Sequence, residues 1–357
     1  MINKIDGNAI IYCEGAFHTT YGKTAHGLIR FSERYKILSV IDSENAGIDS
    51  GFFLSGKPNG IPILPNLQTA LEQAQKSGET ATHFVIGLAP DGGKLDDGAR
   101  ETVIQAIKCG LNVDSGLHDF LSEDAEIVQI AKEKNIKIRD VRKPLRRDEL
   151  HFFEGKIEQV KSIKVAILGT DSAVGKRTTA RILCNALERK GYSAEFIGTG
   201  QTAWLQGARY GFILDSTIND FVAGEIEHAT WSAWNDKHPD FIIIEGQGSL
   251  MNPAYPGGFE ILAAARPEVI ILQHAPARID YDGFPGYPLH PVEKQIQAIE
   301  IISGKKVGAI TINHENISTN RVKTACDIIR KKTNLPVVDL TIDSADEIVD
   351  LLVGFID

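Results

Sequence analysis

The chain is poor in the residues that would staple it or bind a metal. It has four cysteines (Cys13, Cys109, Cys184 and Cys326), far apart and with no CxxC pair. That spacing excludes a disulfide framework or a thiolate zinc site and fits buried thiols in a reducing compartment. Its ten histidines show no HExxH or comparable ligand spacing. No apolar run approaches the roughly 20 residues that a membrane span needs. The amino-terminal MINKIDGNAIIYCEG holds too short an apolar stretch for a secretion signal. An excess of basic residues is also missing: the net charge of -9 argues against a nucleic-acid partner, because phosphate contacts need a clustered cationic surface. A local basic stretch, RDVRKPLRR at 139–147, reads first as a solvated linker. No glycine-rich GxGxxG follows the first apolar run, so a dinucleotide is not licensed there. The expectation is a cytoplasmic α/β protein with no membrane or nucleic-acid partner.

At 357 residues, with 43% hydrophobic and 24% charged, two globular domains with packed cores are expected. In the first half, short apolar runs at 9–13, 37–41, 83–87, 111–114 and 136–139 read as buried strands. Helical periodicity fills 22–32, 67–75, 97–109 and 124–134 between them. Strict alternation of this kind implies a parallel sheet covered on both faces. Charge and Pro144 break the pattern over 141–156, which places the boundary between domains at 1–150 and 151–357. Beyond it, strands are expected at 164–168, 194–197, 241–244, 269–272, 306–312 and 337–340, with a helix at 178–190. The indoles Trp204, Trp231 and Trp234 read first as core and second as a contact between copies in a homo-oligomer.

One loop carries the chemistry. Gly169, Thr170, Asp171, Ser172, Ala173, Val174, Gly175, Lys176, Arg177, Thr178 and Thr179 follow an apolar strand and open a helix. In that context the N–H groups of a glycine-rich turn converge on an anion, and the helix start adds partial positive charge. Lys176 supplies an ammonium for the same phosphates. Arg177 stands where such loops carry the Ser or Thr that ligates magnesium, and Thr178 lies about 100° further round the helix. A weakened magnesium site with an added guanidinium suits holding a diphosphate, such as that of coenzyme A, better than splitting a γ-phosphate.

Other groups fall at strand ends near this loop. Glu245, closing the run FIIIE, is the first candidate for proton acceptor or metal contact; His274, after VIIL, and Asp220 follow it. Gly200, Gln201 and Gln247 are candidates for lining a substrate pocket, and Arg209 and Arg278 for binding substrate carboxylates. Asp215 joins Glu245 as a metal contact if the chemistry depends on magnesium. Turns such as 90–93 and 115–118 are explained equally well as ligand loops or as tight turns.

Taken together, GTDSAVGKRTT (169–179), GTGQT (198–202), DFVAGE (220–225), EGQGSL (245–250), QHAP (273–276) and GLHDFL (116–121) are similar to a P-loop family that includes the D-glutamate N-acetyltransferases. GTDSAVGKRTT and EGQGS also resemble, more distantly, the loops of dethiobiotin synthetase. The resemblance covers nearly the whole chain. It implies an amino-terminal Rossmann-like parallel-sheet domain followed by a P-loop, dethiobiotin synthetase-like α/β domain. It also implies acetyl transfer from acetyl-CoA to the amino group of D-glutamate, a small amino-acid substrate. The alternative from another class is an ATP- and Mg²⁺-dependent ligase or kinase, with Lys176 and the metal stabilising phosphoryl transfer. A nucleotide-sensing module that binds without turnover is the third.

Overall fold

Each buried apolar run in the sequence becomes a strand, and every strand in a sheet pairs in parallel with its neighbours. The structure, a computed structural model, describes residues 5–356, so the first four residues of the amino-terminal stretch lie outside the described residues. The chain divides between Pro144 and Leu145 into two compact units, and Gln201–Ala208 belongs to the first of them.

In the first unit the order is β1 (Gly7–Tyr12), α1 (Lys23–Arg30), β2 (Tyr35–Ile41), α2 (Ser50–Ser55), β3 (Ile63–Leu64), α3 (Leu67–Lys76), β4 (His83–Ile86), α4 (Asp97–Lys108), β5 (Asn112–Ser115), α5 (Ala125–Lys134) and β6 (Ile138–Asp140). The sheet runs β3-β2-β1-β4-β5-β6, all parallel, which is the doubly wound order of a Rossmann-like domain. Alternate residues of β1 feed two separate cores: Ile10 and Tyr12 pack on one face, Ala9 and Ile11 on the other. Helices α2 to α5 begin where Asp49, Asn66, Asp96 and Asp124 accept first-turn N–H groups, the usual remedy for unpaired amides at a helix start.

The second unit contains β7 (Ile163–Gly169), α6 (Lys176–Arg189) and β8 (Ala194–Gly198); helix α7 (Gln201–Leu205) lies in the segment that joins the first unit. Then follow β9 (Tyr210–Gly211), α8 (Asn219–Lys237), β10 (Phe241–Glu245), α9 (Phe259–Ala265), β11 (Val269–His274), α10 (Val292–Ser303), β12 (Val307–Ile312), α11 (Thr319–Thr333), β13 (Val337–Val338) and α12 (Asp346–Val353). The order β13-β12-β11-β7-β10-β8-β9, again all parallel, puts β7 at the point where the winding reverses. Crevices at such a point, outside the carboxyl ends of the strands, are where open α/β sheets bind ligands. Strands β7, β10 and β11 are buried almost throughout, as a sheet covered on both faces requires.

Several expectations need adjusting. The strands β3 and β9 and the helix α2 are too short to leave a periodicity in the sequence. Cys109 is exposed, unlike the other three cysteines. Trp231 and Trp234 pack against the core of the second unit and Trp204 against that of the first, in line with the simpler reading of them as core. Among the described residues no helix is long and apolar enough to cross a membrane.

The stretch before β7 is held to α8 by two buried carboxylates. Glu225 accepts from the His151 N–H at 2.6 Å, and Glu227 accepts from the N–H groups of Glu154 at 2.7 Å and Ile157 at 3.1 Å. Close approach is possible because Gly224 has no side chain: a Cβ there would stand 2.1 Å from the His151 carbonyl oxygen. Gly224→Ala should therefore cost about 1–3 kcal/mol by overpacking, lowering the melting temperature by a few degrees. A thermal melt unchanged by the substitution would show that this stretch does not rest on α8.

Candidate functional site

The phosphate loop joins β7 to α6, and two glycines make it possible. Gly175 has φ +105, a conformation that side chains rarely adopt. Gly169 leaves room for Lys176, whose Nζ and Cδ would come within 2.8 and 2.9 Å of a Cβ there. Helix α6 starts at Gly175 without a side-chain cap, the setting in which backbone N–H groups at a helix start bind an anion. The Lys176 ammonium is buried and donates to the carbonyls of Asp171 and Gly248, both at 2.7 Å. A bound phosphate would take over from these carbonyls.

Asp171 is fully buried and organises the loop. Its Oδ1 accepts from Ser172 N (2.7 Å) and Asn252 Nδ2 (2.8 Å), and its Oδ2 from Arg278 Nη1 and Asp282 N, both at 2.8 Å. Arg278 also donates to the Ser172 carbonyl at 2.7 Å and forms a two-pronged pair with Glu315, at 2.5 and 3.0 Å. This network holds Ala173 at φ 51, a left-handed conformation unusual for a residue with a side chain.

The two strands beside β7 supply the next groups. Glu245, at the end of β10, is buried, and its carboxylate accepts from Thr199 N at 3.0 Å. Burial pushes its pKa up, against the opposing pull of Arg177, the Thr199 amide, Lys176 and Arg181. Arg177 and Arg181 are one turn apart on α6, and the Arg181 guanidinium lies over the Phe196 ring, 4.2 Å from its centroid. Gln247 Nε2 donates to Thr199 Oγ1 at 2.9 Å, and a Cβ at Gly200 would meet the same Nε2 at 2.9 Å. Thus Glu245, Thr199, Gly200 and Gln247 share one corner. On the other side, Gln273 Oε1 accepts the Thr179 hydroxyl at 2.5 Å. His274 Nδ1 is 2.9 Å from Thr170 Oγ1, and burial holds its pKa down to about 4.

Other expected site residues fall elsewhere or are already engaged. Arg278 was expected to meet a substrate carboxylate, but its side chain is only 8% exposed and is bound to Asp171 and Glu315. Arg209 pairs at 3.8 Å with Asp236, about 24 Å along α8 from Asp220 at the helical rise. Gln201 is buried in the first unit, where Nε2 donates to Thr24 Oγ1 at 2.6 Å. Asp220 is exposed in the first turn of α8; Asp215 is also exposed, next to Leu214, whose N–H donates to the Thr199 carbonyl at 3.0 Å. Among the described residues no three His, Cys, Asp or Glu side chains gather to hold a metal. The sequence reading missed Asn252, Gln273 and Arg181. Gln273 stands in the QHAP motif and Arg181 stands four residues after Arg177 in a helix; Asn252 left no signal.

Residues 151–349 match a family model described as a domain of unknown function, DUF1611_C, a P-loop domain. Residues 43–144 match its companion, DUF1611_N, a Rossmann-like domain. A protein of Pseudoalteromonas named D-glutamate N-acetyltransferase is 31% identical over 82% of this chain and 87% of its own length. One of the same name from Tritonibacter scottomollicae is 30% identical over 80% of this chain and 84% of its own. The crystal structure of a DUF1611 family protein from Anabaena variabilis superposes with a TM-score of 0.87 at 27% identity, covering 97% of this chain and 99% of that one.

Two outcomes follow from this geometry. Arg278→Ala leaves the Asp171 carboxylate buried without its cation, so stability should fall by about 3–5 kcal/mol; denaturant unfolding measures it, and a loss under about 1 kcal/mol would contradict the clamp. For His274, a folded pKa of about 4 lies below the ordinary histidine value of 6.5, so unfolding takes up a proton between these pH values. Its contribution is therefore present above pH 6.5 and lost on acidification to pH 4, by roughly 3 kcal/mol. The stability of the wild type relative to His274→Asn should fall over that window; a difference independent of pH would mean the imidazole is not held neutral.

Proposed function

We propose, on the premise that the chain belongs to the DUF1611 family, that it moves the acetyl group of acetyl-CoA to the amino group of an acidic amino acid, D-glutamate in the first instance. The observation that carries this reading is the corner formed by buried Glu245, with Lys176, Arg177 and Arg181 acting on it, at the start of α6. The names of the two curated relatives supply the substrate. The coenzyme's diphosphate would lie on the α6 amides and Lys176, with Arg177 as a further cation in place of a magnesium-ligating hydroxyl. Arg177 and Arg181 are better placed than Arg209 or Arg278 to meet the substrate's carboxylates. We assign the reaction to the cytoplasm, with a homo-oligomer as the working assembly.

Glu245 is the base in this scheme. It removes a proton from the substrate ammonium, and the freed lone pair attacks the thioester carbonyl carbon. The tetrahedral intermediate, its oxyanion met by backbone N–H groups, then collapses. The C–S bond breaks, the nitrogen gives up its remaining extra proton, and the coenzyme leaves as a thiolate that takes up that proton, while Glu245 returns its own to water. An extended pantetheine arm would carry the thioester away from the phosphate loop, so the arm must turn back along the strand edge to bring it to Glu245.

A second reading is favoured by the same carboxylate. An acid at the end of the strand beside a phosphate loop is also where an ATP- and Mg²⁺-dependent ligase or kinase orients its metal. Against it stand Arg177 at the magnesium-ligand position and the Thr179 hydroxyl already given to Gln273.

Purified protein with acetyl-CoA should release free thiol when D-glutamate is added and not with L-glutamate. ADP formed from ATP–Mg²⁺ with no thiol release would transfer the case to the second reading. Glu245→Gln should lower turnover by at least about a hundredfold while the affinity for acetyl-CoA stays within a few fold. Turnover at the wild-type rate would remove Glu245 from the role.

A further inference from the structure

Two loops leave the sheet edge beside Asp171, residues 246–258 after β10 and 275–291 after β11, and both carry aromatic rings to the surface. Tyr255 is 45% exposed, Tyr287 58% exposed, and Phe284 half-buried. The Tyr255 and Phe284 centroids are 6.2 Å apart at 65°, and those of Phe284 and Tyr287 6.3 Å apart at 81°, so the three rings form one cluster across the loops. None of them belongs to the buried core of the unit. Leaving this much aromatic area in water forgoes burial energy, at about 25 cal/mol per Å², that a ligand could recover.

The cluster stands on a fixed base. In the second loop Tyr281 N donates to the Tyr287 carbonyl at 3.0 Å, Phe284 N to that of Tyr281 at 2.9 Å, and Tyr287 N to that of Phe284 at 3.1 Å. Asp282 N anchors this turn to Asp171. In the first loop Tyr255 N donates at 2.8 Å to Asn252 Oδ1, and Asn252 Nδ2 donates to the same Asp171. The Tyr255 backbone also lies against Gly248, where a Cβ would stand 1.9 Å from the Tyr255 carbonyl oxygen, and the Gly248 carbonyl accepts from the Lys176 ammonium. The Tyr255 backbone thus lies one residue away from Lys176, and the three rings of the cluster extend from it.

We infer that Tyr255, Phe284 and Tyr287 form a platform that stacks the adenine of the coenzyme whose phosphates occupy the loop. A single ribose separates a purine from its 5′-phosphates, which suits the short step from Lys176 through Gly248 to Tyr255. Aromatic faces recognise a purine by stacking, with polar groups left to water. The assignment of adenine rests on the coenzyme reading above.

Calorimetric titration of wild type, Tyr255→Ala and Tyr287→Ala with acetyl-CoA, 4′-phosphopantetheine, ATP and pyrophosphate tests it. Each alanine variant should weaken acetyl-CoA by about tenfold or more and leave pyrophosphate and phosphopantetheine unchanged. Phe284→Trp, which keeps a π-face, should hold acetyl-CoA near wild-type affinity and lose indole fluorescence on binding it but not on binding pyrophosphate. Equal losses for pyrophosphate would reduce the rings to loop supports, and equal losses for phosphopantetheine would make them a seat for the arm; either overturns the platform. If acetyl-CoA fails to bind wild type while ATP binds, the acetyltransferase reading falls, and ATP takes its place in the same comparison. Should no adenine-bearing ligand bind wild type more tightly than pyrophosphate, the platform is overturned.

Discussion

A single buried charge holds the candidate site together. Asp171 lies within the phosphate loop, yet its carboxylate faces inward and draws in groups from the loops after β10 and β11; Arg278 then extends the connection to Glu315 beyond β12. Burying a carboxylate is strongly unfavourable unless its charge is matched and its lone pairs are filled. Three N–H donors and a guanidinium do this here. The N–H groups that would bind an anion are thereby set in place before any ligand arrives. Such preorganisation keeps the ordering cost of binding low.

Lys176 occupies a resting position. With two carbonyls as partners, its ammonium is satisfied in the buried site, so an incoming phosphate gains only the difference between its own pairing and theirs. A weakly charged ligand has little means of displacing those carbonyls, whereas a diphosphate has ample charge. Around Glu245 the balance is different: three cations act on one carboxylate whose burial still raises its proton affinity. That corner combines anion attraction with a carboxyl group that holds its proton more readily than one in water, a pairing typical of functional sites.

Much of this was legible in the sequence. The P-loop declared itself because β7 carries the apolar run 165–168, the glycines stand at the turn, and α6 shows a periodic apolar face; each signal is local. Glu245 and His274 could be placed because a residue ending an apolar run in a parallel sheet must emerge at the common edge. What failed was side-chain direction. Arg278 follows a site strand and was expected to face a substrate, but nothing in its neighbourhood announces that it turns back to Asp171, 107 residues earlier. Glu225, the last residue of the DFVAGE motif, holds the His151 backbone, a partner 74 residues away. Strands of two residues, β3 and β9, escaped because they exist only through pairing with a longer neighbour.

The return of Gln201–Ala208 to the first unit sets an order of assembly during synthesis. An amino-terminal unit ordinarily completes itself as soon as its last strand emerges from the ribosome. Here that unit cannot close on its final helix until β7, α6 and β8 have also been made, since α7 follows them in the chain. Meanwhile β7 waits for both neighbours, β10 and β11, before its edges are paired. Parallel sheets built from such distant segments form slowly and leave apolar edges open in the interval. The nascent protein therefore carries a first unit without its last helix and an unfinished second sheet at once, a period in which dependence on chaperones should be greatest.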